Sequence, residues 1–100
     1  MTVKEALEAG LTDLEVSDNL ITKVMLDNEV DGTVNYAKDD HQEAVDICRR
    51  DIYLILASSP EIREGSFAIR YSAGQLIALA KAINRKYGLE EATVSGESKW

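Results

Sequence analysis

Residues 43–60, EAVDICRRDIYLILASSP, decide the class of fold. Ala44, Val45, Cys48, Ile52 and Ile55 recur three and four residues apart, with Ile47 and Leu54 on a flank, so their side chains fall on one broad stripe of a helix. The stripe continues to Ala57. Ser58-Ser59-Pro60 ends it, because the proline ring pushes the residue before it out of the helical region. At the other end Asp39-Asp40-His41-Gln42-Glu43 offers overlapping N-cap side chains and places negative charge in a first turn, where the helix macrodipole favours it. One long amphipathic helix is expected here.

The flanking sequence adds shorter helices. Thr2-Val3-Lys4-Glu5 has the form of a capping box, predicting a helix through about Ala9 with Gly10 as a left-handed stop. After an irregular stretch over residues 11–16, Asp13 or Ser17 can cap a helix. Leu20, Ile21, Val24, Met25 and Asn28 place that helix from Asp18 to about Glu29, ended by Asp31-Gly32. Residues 33–38 read as a connector with extended character. Ser72-Ala73-Gly74-Gln75 is a second capping box, and Leu76, Ile77, Leu79, Ala80, Ile83 and Tyr87 carry the last helix to Gly88. Leu89 then suits the apolar closing contact of a Schellman ending. The expectation is a mainly α protein, a compact bundle of about four helices forming a single domain over residues 1–89. Residues 90–100, EEATVSGESKW, form a polar tail with Val94 and Trp100 as its only anchors, and are expected to be flexible.

Residues 61–71, EIREGSFAIRY, break the helical pattern before the last helix. Phe67, Ile69 and Tyr71 alternate with Ala68, Arg70 and Ser72, as in a half-buried strand. A lone strand presents unpaired N–H and C=O groups that another strand or water must satisfy. Within the chain the plausible mate is residues 33–37. The alternatives are a strand of another copy or another protein added edge to edge, or an extended loop whose Phe67, Ile69 and Tyr71 plug the core. Phe67, Ile69 and Tyr71, with Arg70 as an ion-pair former, are the candidate subunit or partner contacts.

Composition narrows the function. One hundred residues hide roughly two-thirds of the surface their unfolded chain exposes, enough for one modest core. Hydrophobic residues at 45% and charged residues at 29% are ordinary for a soluble globular chain. No apolar run approaches the ~20 residues of a membrane span, and MTVKEALEAG lacks the pattern of a signal peptide, so an intracellular protein without a membrane partner is expected. A formal net charge of -7 disfavours general affinity for nucleic acid or anionic lipid.

Candidate chemistry is sparse. Cys48 is the single cysteine and His41 the single histidine, so an internal disulfide and a Cys/His zinc cluster are both excluded. Cys48 lies on the apolar stripe and reads as a buried inert thiol despite its neighbours Arg49 and Arg50. Asp51 sits close to the same stripe, where a carboxylate needs a partner such as an arginine; a structural ion pair is the favoured reading over catalysis. Asp39, Asp40 and Glu43 lack calcium-loop spacing. Ser58, Ser59, Ser66 and Ser72 stand in turn or cap contexts and none lies in a nucleophile elbow. No catalytic residue, cofactor or metal is expected.

The order of features, a helix SDNLITKVMLDNEVDG, a long helix EAVDICRRDIYLILASSP, the turn and strand EIREGSFAIRY and a last helix ending INRKYG, resembles the small helical head-to-tail connector, or adaptor, proteins of tailed phages and prophages. The resemblance spans roughly residues 17–88. It departs from the family pattern at Ser66, where a second glycine precedes the aromatic residue in that family. What it implies is a non-catalytic virion structural protein, whose copies form a ring between portal and tail-completion proteins. Such a protein resides in the bacterial cytoplasm before assembly and in the virion after it. A small regulatory or adaptor module binding a host or phage protein is the rival reading.

Overall fold

The computed structural model describes residues 1–12, 14, 16–58 and 72–89, and among them it forms four helices: α1 (Val3–Ala9), α2 (Asp18–Asp27), α3 (Lys38–Ser58) and α4 (Ala73–Lys86). The mainly α expectation holds. The strand proposed at residues 67–72 and the polar tail at 90–100 fall, apart from Ser72, outside the described residues.

Caps do what the sequence requires of them at three helix starts. Thr2 Oγ1 accepts from the Glu5 N–H at 3.1 Å while Glu5 Oε1 accepts from the Thr2 N–H at 2.8 Å. Ser72 and Gln75 repeat this reciprocal pair at α4, and Ser17 Oγ accepts from the Leu20 N–H at α2. Each such cap contributes about 1 kcal/mol. At α3 the expected acidic cap is replaced: the helix starts at Lys38, and the Ala37 N–H donates to Nδ1 of His41 at 2.8 Å. Asp39 and Asp40 then lie inside the first turn, where their charge still faces the exposed N–H groups.

The stops differ more from expectation. Gly10 closes α1 in a right-handed conformation, φ −82°, and not in the left-handed one predicted for it. Helix α2 ends at Asp27, and the left-handed residue is Glu29, φ 58°. Gly32 serves close packing instead of a helix stop. A Cβ there would lie 2.7 Å from Met25 Cε and 3.0 Å from Lys4 Cβ, so glycine permits α1 and the connector to approach. Gly88 does end α4 in the left-handed region, φ 69°.

The connector finds its backbone partner at the start of the chain. Thr2 and Asn35 form an isolated antiparallel bridge, with Val3 N–H donating to Val34 O, Lys4 N–H to Gly32 O and Tyr36 N–H to Met1 O at 2.8–3.0 Å. Residues 33–37, predicted as a mate for the 67–72 segment, are thus paired along this edge with residues 1–4.

Helix α3 is the centre of the packing, most extensively against α4 and then against α1 and α2. Val3, Leu7, Cys48, Ile52 and Leu76 are completely buried, and Leu11, Leu14, Ile21, Val24, Met25, Val45, Tyr53, Leu56, Ala80 and Ile83 complete the described core. Each large aliphatic side chain hidden this way stabilises the fold by roughly 1.5–3 kcal/mol. The buried face of α3 runs through Val45, Asp46, Cys48, Ile52, Tyr53 and Leu56; the predicted members Ala44, Ile47, Leu54 and Ile55 are half-buried beside it. The stripe is turned toward α4, the largest surface it meets.

Candidate functional site

The predicted contact residues Phe67, Ile69, Arg70 and Tyr71 all lie outside the described residues. Cys48 and Asp51 sit on α3, and the fold employs both. Cys48 is fully buried, and burial together with the charge of Asp51 pushes its thiol up to about 11 against the opposing effect of Arg50. At neutral pH it is a protonated core side chain. Asp51 accepts from Arg50 through Nε at 3.0 Å and Nη2 at 2.8 Å, and from Asn28 Nδ2 at 2.9 Å. Arg50 continues the chain of contacts by donating from Nη1 to Asn84 Oδ1 at 3.0 Å. The arginine partner foreseen for Asp51 is therefore present, and the resulting network ties α2, α3 and α4 together.

Asp46 was not foreseen from the sequence. The residue is 5% exposed, and its carboxylate accepts from Arg49 Nη2 at 3.1 Å, Lys86 Nζ at 3.0 Å and the Tyr87 hydroxyl at 2.5 Å. The hydrogen bond to Asp46 raises the Lys86 pKa, and burial followed by the same carboxylate raises that of Tyr87. A signal was present: Asp46 and Tyr53 are seven residues apart, on the same helical face one step from the Val45, Cys48 and Ile52 stripe. A carboxylate on that face needs cationic or hydroxyl donors, and Lys86-Tyr87 supplies them at the end of the last helix.

Among the described residues no group of three or more His, Cys, Asp or Glu is placed to hold a metal ion. No helix among them is long and apolar enough to cross a membrane.

An apolar surface groove lies away from these networks. A groove of about 620 Å³ runs between α2, the residues 30–33 that follow it and the start of α1; Thr22, Met25, Leu26, Val30 and Thr2 line it. Leu26 is 70% exposed at its edge. Asp31 stands at the same edge, where the Thr33 hydroxyl at 2.6 Å and the Thr33 N–H at 2.9 Å hold its carboxyl below the ordinary value, so it is charged at neutral pH. Lys4, also lining the groove, is paired with Asp18 at 2.6 Å. No residue of this groove was singled out from the sequence as a contact, because the exposure of Leu26 depends on where the neighbouring helices end.

Over residues 1–99 the chain matches the family described as "Family of unknown function (DUF6706)", and it belongs to that family. No curated protein and no solved structure matches it.

Proposed function

We propose that this member of the family is a phage virion structural protein, a head-to-tail connector or adaptor subunit that acts by binding and that self-associates in a ring between portal and tail. The observation that carries the reading is the use the fold makes of its buried polar groups. Asp46 and Asn84, the buried polar residues among those described, are both spent on joining α3 to α4, and Asp51 joins α2 to the same network. Function then falls to surfaces, among them the apolar groove beside Leu26. The order of a helix, a long helix and a last capped helix over residues 18–86 supports the connector resemblance in particular. The candidate contacts Phe67, Ile69, Arg70 and Tyr71 belong to this reading as proposed subunit or partner residues.

Sedimentation of the purified chain at increasing concentration, with and without a portal ring, tests the proposal. Concentration-dependent assembly or capture by the portal is expected, and Ile69→Asp should weaken it while leaving the helical circular dichroism intact. A chain that stays monomeric and ignores the portal overturns it.

A further inference from the structure

Charge is divided unevenly along the chain. Residues 1–43 hold eleven aspartates and glutamates against Lys4, Lys23 and Lys38, whereas residues 72–89 hold Lys81, Arg85 and Lys86 with no carboxylate side chain. The acidic part supplies α1, α2, the start of α3 and the groove, in which Asp31 is the acid and Lys4 is paired with Asp18; the basic part is α4. A chain of net charge -7 repels its copies on average, so any attraction between copies must be local and must bring unlike parts together.

The outer face of α4 has the shape such a contact needs. Ala78, Leu79, Ala82 and Arg85 recur at helical spacing, and all are exposed although the helix is capped and its opposite face is packed. Leu79 is 36% exposed, so its expected place among the core positions is corrected: it points outward beside Leu76 and Ala80, which are buried. An exposed leucine flanked by two alanines makes a low ridge that another surface can approach closely. Arg85 stands at the end of that ridge.

We propose that copies of this chain associate head to tail, with the Leu79 ridge of α4 seated in the groove beside Leu26 of the next copy and Arg85 facing Asp31. The inference rests on the self-association proposed above and names the two surfaces that carry it. The occupant is a second copy because the two surfaces complement each other in both respects: apolar ridge against apolar groove, and the exposed Arg85 against the exposed, charged Asp31. In the proposed contact each pair of copies shares one ridge and one groove, so the contact is heterologous and repeats from copy to copy, closing into a ring or running on as a filament.

Two single-sided variants test it. Leu26→Asp spoils the groove, Leu79→Asp spoils the ridge, and both positions are exposed, so circular dichroism should show an intact helical fold. In sedimentation velocity up to about 1 mM, where even a contact with a dissociation constant of about 1 mM is populated, the wild-type chain should grow beyond a dimer as concentration rises. Each variant alone should remain monomeric. An equimolar mixture should form a species of two chains and nothing larger, since each copy retains one working surface. Raising the salt to about 0.5 M should shift wild-type assembly to higher concentration. Wild-type assembly that persists unchanged in Leu79→Asp, or variants that do not pair on mixing, overturns this contact and leaves self-association through another surface standing. A wild-type chain that is monomeric throughout overturns both.

Discussion

Helices α2 and α4 both finish in the paired hydrogen bonds of a Schellman ending, yet the left-handed position is Glu29 in one and Gly88 in the other. At α2, Val30 N–H donates to Met25 O at 2.8 Å and Glu29 N–H to Leu26 O at 3.0 Å; at α4, Leu89 N–H donates to Asn84 O at 2.7 Å and Gly88 N–H to Arg85 O at 3.3 Å. The cap residues also act alike. Asn28 donates to Asp51 and Tyr87 donates to Asp46, so each helix end is fastened to a carboxylate on α3. A non-glycine residue in the left-handed region costs about 1–2 kcal/mol. Asn28 offsets part of that cost at α2 by donating to both Val24 O and Asp51, and Val30 packs against the core as the apolar closing residue. Each ending is therefore set by its hydrogen bonds and its tether, while glycine only lowers the strain.

The two tethers differ in depth, and that difference predicts the largest effect. Asp46 is buried under three donors, whereas the Asp51 side chain is 28% exposed. Asp46→Asn keeps the volume but removes the charge that Lys86, Tyr87 and Arg49 share, and Arg49 Nε is already buried without a partner. It should cost about 2–4 kcal/mol in urea unfolding, against about 1–2 kcal/mol for Asp51→Asn. Equal losses would mean that burial is not what separates the two sites.

Alkali should separate the two ends next, by an amount smaller than the full loss of Asp46. Lys86 and Tyr87 both have pKa values raised by folding, so the stability they contribute is complete below about pH 10, their ordinary range. It is lost as pH rises from there through their folded values. The α2 ending is fastened by an amide, which does not titrate. Hydrogen exchange followed from pH 9 to 11, corrected for the intrinsic rate, should show the last turn of α4 opening before the last turn of α2. In Asp46→Asn that difference should shrink, because the carboxylate's part of both shifts is gone and only the effect of burial on Tyr87 is left.

The same contrast explains which parts of the fold are legible in the sequence. Capping boxes at Thr2 and Ser72, the Ser17 cap and the Gly88-Leu89 ending are local: every partner lies within a few residues, and the sequence shows all four. Spacing alone puts the α2 ending at Asp31-Gly32, because glycine is the usual left-handed residue. The true stop at Glu29 depends on Asp51, 23 residues from Asn28 in sequence. Asp46 escapes notice for a similar reason, its donors Lys86 and Tyr87 lying 40 and 41 residues away. The exposure of Leu79 and Leu26 is decided by how helices pack, which periodicity along one helix does not report. The contacts proposed at Phe67, Ile69, Arg70 and Tyr71 lie outside the described residues, so the resemblance and the alternation are what recommend them.

A reciprocal pair of substitutions sharpens the comparison at its smallest scale. Gly88→Ala places a Cβ in open space, with nothing within 4 Å, so any loss is conformational and should be about 1–2 kcal/mol. Glu29→Gly relieves the same strain at α2 but also frees the unfolded chain, which favours unfolding by roughly 0.5–1 kcal/mol. The net gain is therefore expected to be small, up to about 1 kcal/mol. Urea midpoints measured side by side should move in opposite directions, Gly88→Ala by the larger amount. If Glu29→Gly were instead destabilising, the Asn28 tether and the Val30 contact would have to relieve the left-handed strain almost completely. Combining Glu29→Gly with Asp51→Asn decides that point. With the tether broken, the strain at Glu29 is no longer offset, and the glycine should stabilise by more than it does in the wild-type chain.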